Sequence, residues 1–130
     1  MKLATLRTGF GTSAIRIDGD NVGVELDYED VGQLLRSEDW RKAAQLSGEP
    51  VVFDHADLEA VVPTPGKVIC VGLNYAKHIR EMGREFPEHP TLFIKFAEAL
   101  TGPYDDVFIP EYGTRKLDYE GELALSLIHI

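Results

Sequence analysis

The sequence predicts an α+β protein, mostly β, in two parts. A small β-meander with helices occupies residues 1–62, and residues 63–130 begin a second, mixed module. Three observations carry this. Apolar and polar residues alternate over the first 26 positions between Gly/Asp/Asn turns. A breaker cluster, Pro63-Thr64-Pro65-Gly66, interrupts the middle of the chain. Two short apolar runs rich in β-formers, at 67–71 and 91–95, follow that break.

In order, residues 2–8 read as a strand, Gly9-Phe10-Gly11-Thr12 as a turn, and 13–17 as a second strand. Asp18-Gly19-Asp20-Asn21 turns the chain into a third, at 22–26. Val31, Leu34 and Leu35 stand at helical spacing behind Asp30, a good N-cap. A second helix carries Trp40, Ala43 and Ala44, with Ser37 as its expected cap and Gly48 at its end. Beyond the break, Asn74 is expected to cap a helix that runs to about Met82 and stops at Gly83. Tyr75, Ile79 and Met82 would form its core face. Residues 107–109 and 116–123 read as further strands.

Composition narrows the function classes. The chain has 130 residues, a formal charge of −9 and 44% hydrophobic content, which fits a globular domain. No basic stripe exists to neutralise phosphates, so a nucleic-acid partner is not expected. Nothing approaches the ~20 apolar residues of a membrane span, and the N-terminus carries no apolar signal run; the cytoplasm is the expected compartment. The single cysteine, Cys70, excludes an internal disulfide and reads as an inert thiol in a buried strand.

Two segments suggest chemistry. His78 and Glu81 lie three apart on the expected helix, so their side chains are neighbours; a carboxylate beside imidazole fixes its tautomer and raises its basicity. The alternative is a structural histidine, with Glu81 paired to Lys77 at four-residue spacing. In 116–123, alternation would set Asp118, Glu120 and Glu122 on one strand face. Carboxylates so grouped suit Mg²⁺, Mn²⁺ or Ca²⁺, or else form a solvated face.

These residues resemble the fumarylacetoacetate hydrolase family. Gly72-Leu73-Asn74-Tyr75-Ala76-Lys77-His78-Ile79-Arg80-Glu81 looks like its Gly-x-Asn-Tyr-x-x-His-x-x-Glu signature. Pro90-Thr91-Leu92-Phe93-Ile94-Lys95 is similar to its Pro-x-Leu-Phe-x-Lys segment, and Leu117-Asp118-Tyr119-Glu120-Gly121-Glu122-Leu123-Ala124 to its metal strand. The resemblance implies a β-sandwich roll as the catalytic domain, a homodimer, and Mg²⁺ or Mn²⁺ held by Glu120, Glu122 and a later aspartate. It implies a 2-oxo acid or 1,3-dicarbonyl substrate, with His78 and Glu81 activating water, Lys95 near the pocket, and C–C bond cleavage of an acylpyruvate. Isomerisation, hydration and decarboxylation on the same scaffold, or a non-catalytic module, are the alternatives. Two departures stand out: Phe96 follows the lysine where many members have proline, and no carboxylate follows Glu122. The ending Leu125-Ser126-Leu127-Ile128-His129-Ile130 is apolar, with no turn or cap. The expectation is a truncated frame with a non-native end, inactive by itself.

Overall fold

The computed structural model describes residues 1–113 and 117–127. The chain divides into two compact units: Met1–Pro63 together with the described residues from Thr101 on, and Thr64–Leu100. The sequence break at Pro63-Thr64-Pro65-Gly66 falls where the first stretch of the first unit ends, while the sequence reading places everything after residue 62 in one module. Strand is antiparallel throughout, and the α+β, mostly β class holds.

The first unit is built on a four-stranded sheet in the order β1 (Lys2–Thr8), β2 (Gly11–Ile17), β3 (Val22–Glu25) and β4 (Pro50–Val52). Thr8 pairs with Gly11, which leaves Gly9-Phe10 as a two-residue turn. Gly11 sits at φ +136, a conformation that side chains rarely adopt, so glycine is needed at that corner. The second turn closes where Asp18 and Gly19 both donate to the Val22 carbonyl, at 3.0 and 2.9 Å.

Alternation then separates the two cores. Ala4, Leu6 and Ile15 pack with Phe53 in one cluster. Ala14, Val24 and Leu26 pack with Val31, Leu34 and Ala44 in the other, where Trp40 is partly buried. Val31 and Leu34 belong to α1 (Val31–Leu35), capped as expected: the Asp30 carboxylate accepts from the Gln33 amide at 2.7 Å. The helix is tied to the sheet by Thr5, which is fully buried. Its hydroxyl donates to the Val61 carbonyl at 2.8 Å and accepts from the Val31 amide at 3.1 Å, one of the donors a helix start leaves unpaired.

α2 (Trp40–Ala43) starts later than expected. Its N-cap is Asp39, not Ser37, whose amide is still engaged by the Leu34 carbonyl at 3.0 Å as α1 ends. Gly48 does not end α2 either; it lies where an added Cβ would press on Val24. Arg41 stacks its guanidinium 4.4 Å from the Trp40 ring centroid.

The second unit holds β5 (Val68–Gly72) and β6 (Thr91–Lys95), paired antiparallel from Val68↔Lys95 to Gly72↔Thr91. Between them lies α3 (Ala76–Glu81). On this ribbon Ile69, Leu92, Phe93 and Ile94 are exposed. Cys70, expected to be buried, is only half covered. On α3 only Ile79 is buried; Tyr75 and Met82, expected beside it, are exposed.

Two expected strands do not form. Residues 107–109 are irregular, and so is 117–123; Lys116, where the second was to begin, lies outside the described residues. A strand exists only by pairing with another, and no described neighbour pairs with these stretches. Of the apolar ending, residues 128–130 also lie outside the described residues.

Candidate active site

β5 delivers the chain to α3 through Gly72-Leu73-Asn74. Leu73 adopts φ 54, the left-handed region, which costs a non-glycine residue about 1–2 kcal/mol. It is the only non-glycine residue at positive φ among the described residues. Tyr75, not Asn74, is the N-cap, and it makes no side-chain cap bond. The other end of α3 is as expected. Gly83, at φ 64, donates to the Arg80 carbonyl at 3.0 Å, and Arg84 to Ile79 at 3.1 Å; these are the paired bonds of a Schellman stop.

His78 therefore stands on a short, well-terminated helix, exposed, with no hydrogen-bond partner for its ring among the described residues. Glu81 shares the helix. Its Oε1 lies 3.8 Å from the Lys77 ammonium, one turn back, in a pair exposed on both sides. Such a pair contributes only about 0.3–0.5 kcal/mol, so it yields readily to a better partner. Lys95 ends β6 opposite Val68, exposed, with its ammonium 5.7 Å from the Phe93 ring centroid. Thus His78, Glu81 and Lys95 belong to one small unit, on elements joined by the β5–α3–β6 path.

Glu120 and Glu122 fall in the other unit, exposed, on irregular backbone. Asp118 turns back on its own chain and accepts from the Tyr119 amide at 2.9 Å. Oxygen donors of this kind are right for a hard cation, but among the described residues no three His, Cys, Asp or Glu side chains gather to hold one. In this arrangement Glu120 and Glu122 do not by themselves fit a metal centre.

Sequence reasoning missed an ionic cluster in the first unit. Arg7 on β1 donates from Nε to Glu59 at 2.8 Å, and from its two terminal nitrogens to the two Asp105 oxygens at 2.7 and 2.6 Å. The guanidinium holds both carboxyls below their ordinary range. No local pattern could announce it, because Arg7 and Asp105 are 98 positions apart. The same unit has an open cleft of about 650 Å³ beside Phe10, Tyr28, Glu25 and Glu49, and it contains none of the motif residues.

Residues 67–128 match the family described as fumarylacetoacetate (FAA) hydrolase C-terminal, a span that includes His78, Glu81, Lys95, Glu120 and Glu122. The chain is similar to that family over 62 of its 130 residues. It is 47% identical over 68 residues to the mitochondrial oxaloacetate tautomerase FAHD2A of Bos taurus, covering 52% of this chain and 21% of that protein. It is 49% identical over 73 residues to the oxaloacetate tautomerase YisK of Bacillus subtilis, covering 54% and 24%. The chain thus spans about a fifth to a quarter of the length of these relatives. Among solved structures, a Mycobacterium smegmatis protein provisionally named HpcE superposes with a TM-score of 0.65 at 28% identity. That match covers 85% of this chain and 41% of the other. No helix of the described residues is long and apolar enough to cross a membrane.

Proposed function

We propose that the protein is an enzyme that moves protons beside the carbonyl of a 2-oxo acid, and that the reaction is keto–enol tautomerisation. The observation that carries this is the family match across 67–128, with every motif residue inside it. The tautomerase names of the relatives favour this outcome over the acylpyruvate cleavage that the motifs alone suggested. Hydrolytic C–C cleavage, or another reaction of the superfamily, is the second reading.

In this reading His78 is the base, and its exposed, unengaged ring is free to meet a substrate. It takes the proton from one end of the C–C–O unit while a proton is delivered to the other, with no atom lost. Glu81 leaves Lys77 and orients the imidazole. Lys95 meets the substrate carboxylate. We further propose Mg²⁺ or Mn²⁺, with Ca²⁺ as a third candidate, held by Glu120, Glu122 and a ligand beyond the described set. When bound, the cation would supply Lewis-acid charge that stabilises an enolate. A homodimer in the cytoplasm completes the proposal.

The test is the decay of enolic oxaloacetate, followed by its ultraviolet absorbance, with the full-length protein and each metal. His78→Ala should slow turnover by about 10²–10⁴-fold while metal titration is unchanged. Cleavage of an acylpyruvate without enol decay would install the second reading. Neither activity with any of the three metals would end the enzymatic one.

A further inference from the structure

We propose that Arg7, Glu59 and Asp105 form a latch: it fastens the turn at 102–105 to the N-terminal sheet and opens as a unit of its own, without the sheet unfolding. The turn lies in a stretch where no strand or α-helix supplies a backbone ladder, from residue 101 to 110. What holds it is side-chain chemistry. Asp105 grips Arg7 with both oxygens, and one of them also accepts from the Gly102 amide at 2.7 Å. The Asp105 amide returns a bond to the Gly102 carbonyl at 3.2 Å, which closes the turn on itself.

The receiving side is ordered independently. Glu59 accepts from Arg7 with one oxygen and from the Ala60 amide, at 2.8 Å, with the other. Its own amide donates to the Thr5 carbonyl at 2.9 Å, so the carboxylate is anchored to β1. Gly102 is buried so closely against the Leu58 carbonyl and the Arg7 guanidinium that no Cβ would fit. Beside it, Tyr104 stacks on His55 with ring centroids 5.4 Å apart and its hydroxyl 3.4 Å from Nδ1. His55 is in turn held by Nε2, 2.8 Å from the Asp20 carbonyl.

A bidentate guanidinium–carboxylate pair is strong and directional, and one arginine carries most of the attachment. Segments secured by a few side chains, outside any ladder, open at lower free energy than the sheet they rest on. The turn precedes, in the same unit, the stretch bearing Glu120 and Glu122, so Arg7 is a positioning residue for where the chain from residue 101 on is fastened to the N-terminal sheet. The inference stands whatever reaction the protein catalyses.

Native-state hydrogen exchange on the full chain tests it, with increasing urea below the unfolding transition. The Gly102 and Asp105 amides are expected to exchange through an opening that urea barely affects, while β1 and β2 amides exchange through a urea-dependent one. Arg7→Lys keeps the charge but loses the fork, and should speed exchange at Gly102 and Asp105 by roughly tenfold or more. Equal rates and equal urea slopes for the turn and the sheet would overturn the separate unit. Unchanged exchange at Gly102 in Arg7→Lys would overturn the role of Arg7.

Discussion

Replacing Thr5 by valine removes one hydroxyl from the seam between β1 and α1 and leaves the shape of the side chain almost unchanged. The hydroxyl has two partners, the Val61 carbonyl at 2.8 Å and the Val31 amide at 3.1 Å. The Val61 carbonyl lies near the surface and can turn to water. The Val31 amide cannot: it is buried at the first position of the helix, and orphaning it costs about 1–3 kcal/mol. The extra methyl of valine returns a fraction of this. The net expectation for Thr5→Val is a loss of about 2 kcal/mol. In urea unfolding followed by far-ultraviolet circular dichroism, with a small-domain slope, the midpoint should fall by roughly 1–2 M without a change in slope. Thr5→Ser keeps both bonds and should lose only about 1 kcal/mol, for the missing methyl. A Thr5→Val protein as stable as the parent, or more stable than Thr5→Ser, would refute the idea that this hydroxyl docks the helix.

Asp105 and Glu59 both lie below the ordinary carboxylate range because Arg7 donates to them. Their contribution to stability is complete above the unfolded values, near pH 4, and is lost as pH falls through the lowered folded ones. Asp105→Asn should therefore flatten the acid limb of the stability–pH curve; a parallel curve would contradict the assignment. Gly102→Ala should destabilise the first unit by about 1–3 kcal/mol, since the new Cβ meets the Leu58 backbone, and calorimetry would show it as a lower transition temperature. Leu73→Gly removes a left-handed penalty of about 1–2 kcal/mol and adds about 0.5–1 kcal/mol of chain entropy to the unfolded state. Its urea midpoint should equal or exceed that of the parent, and a clear drop would show that the Leu73 side chain matters more than its strain.

Local chemistry made much of the fold legible. Alternation announced β1 to β3, Asp30 capped α1, and Gly83 stopped α3, because each depends on residues within a turn or a neighbouring strand. β4 escaped notice: it is three residues long, begins with Pro50, and exists only because β3 pairs with it through Gly23↔Val51. Ser37 lost to Asp39 because α1 still held its amide. The strands expected at 107–109 and 117–123 failed for the opposite reason, since their apolar pattern was sound and partner strands were lacking. The site residues were readable as a motif, yet their geometry was not. Lys77 and His78 stand four and three positions before Glu81, and spacing alone could not say that the ammonium would be the partner. The Arg7 cluster had no local signature at all.

The chain has one tryptophan, and Trp40 lies against the core of the first unit with Arg41 over its ring. Light absorbed selectively by indole therefore interrogates that unit alone, and residues 64–100 are dark to it. A fluorescence melt of the unmodified protein is thus a private thermometer for the β-meander, already installed and needing no label. Any probe of the β5–α3–β6 ribbon has to be brought in, and Cys70, the single thiol, is the natural place to attach one.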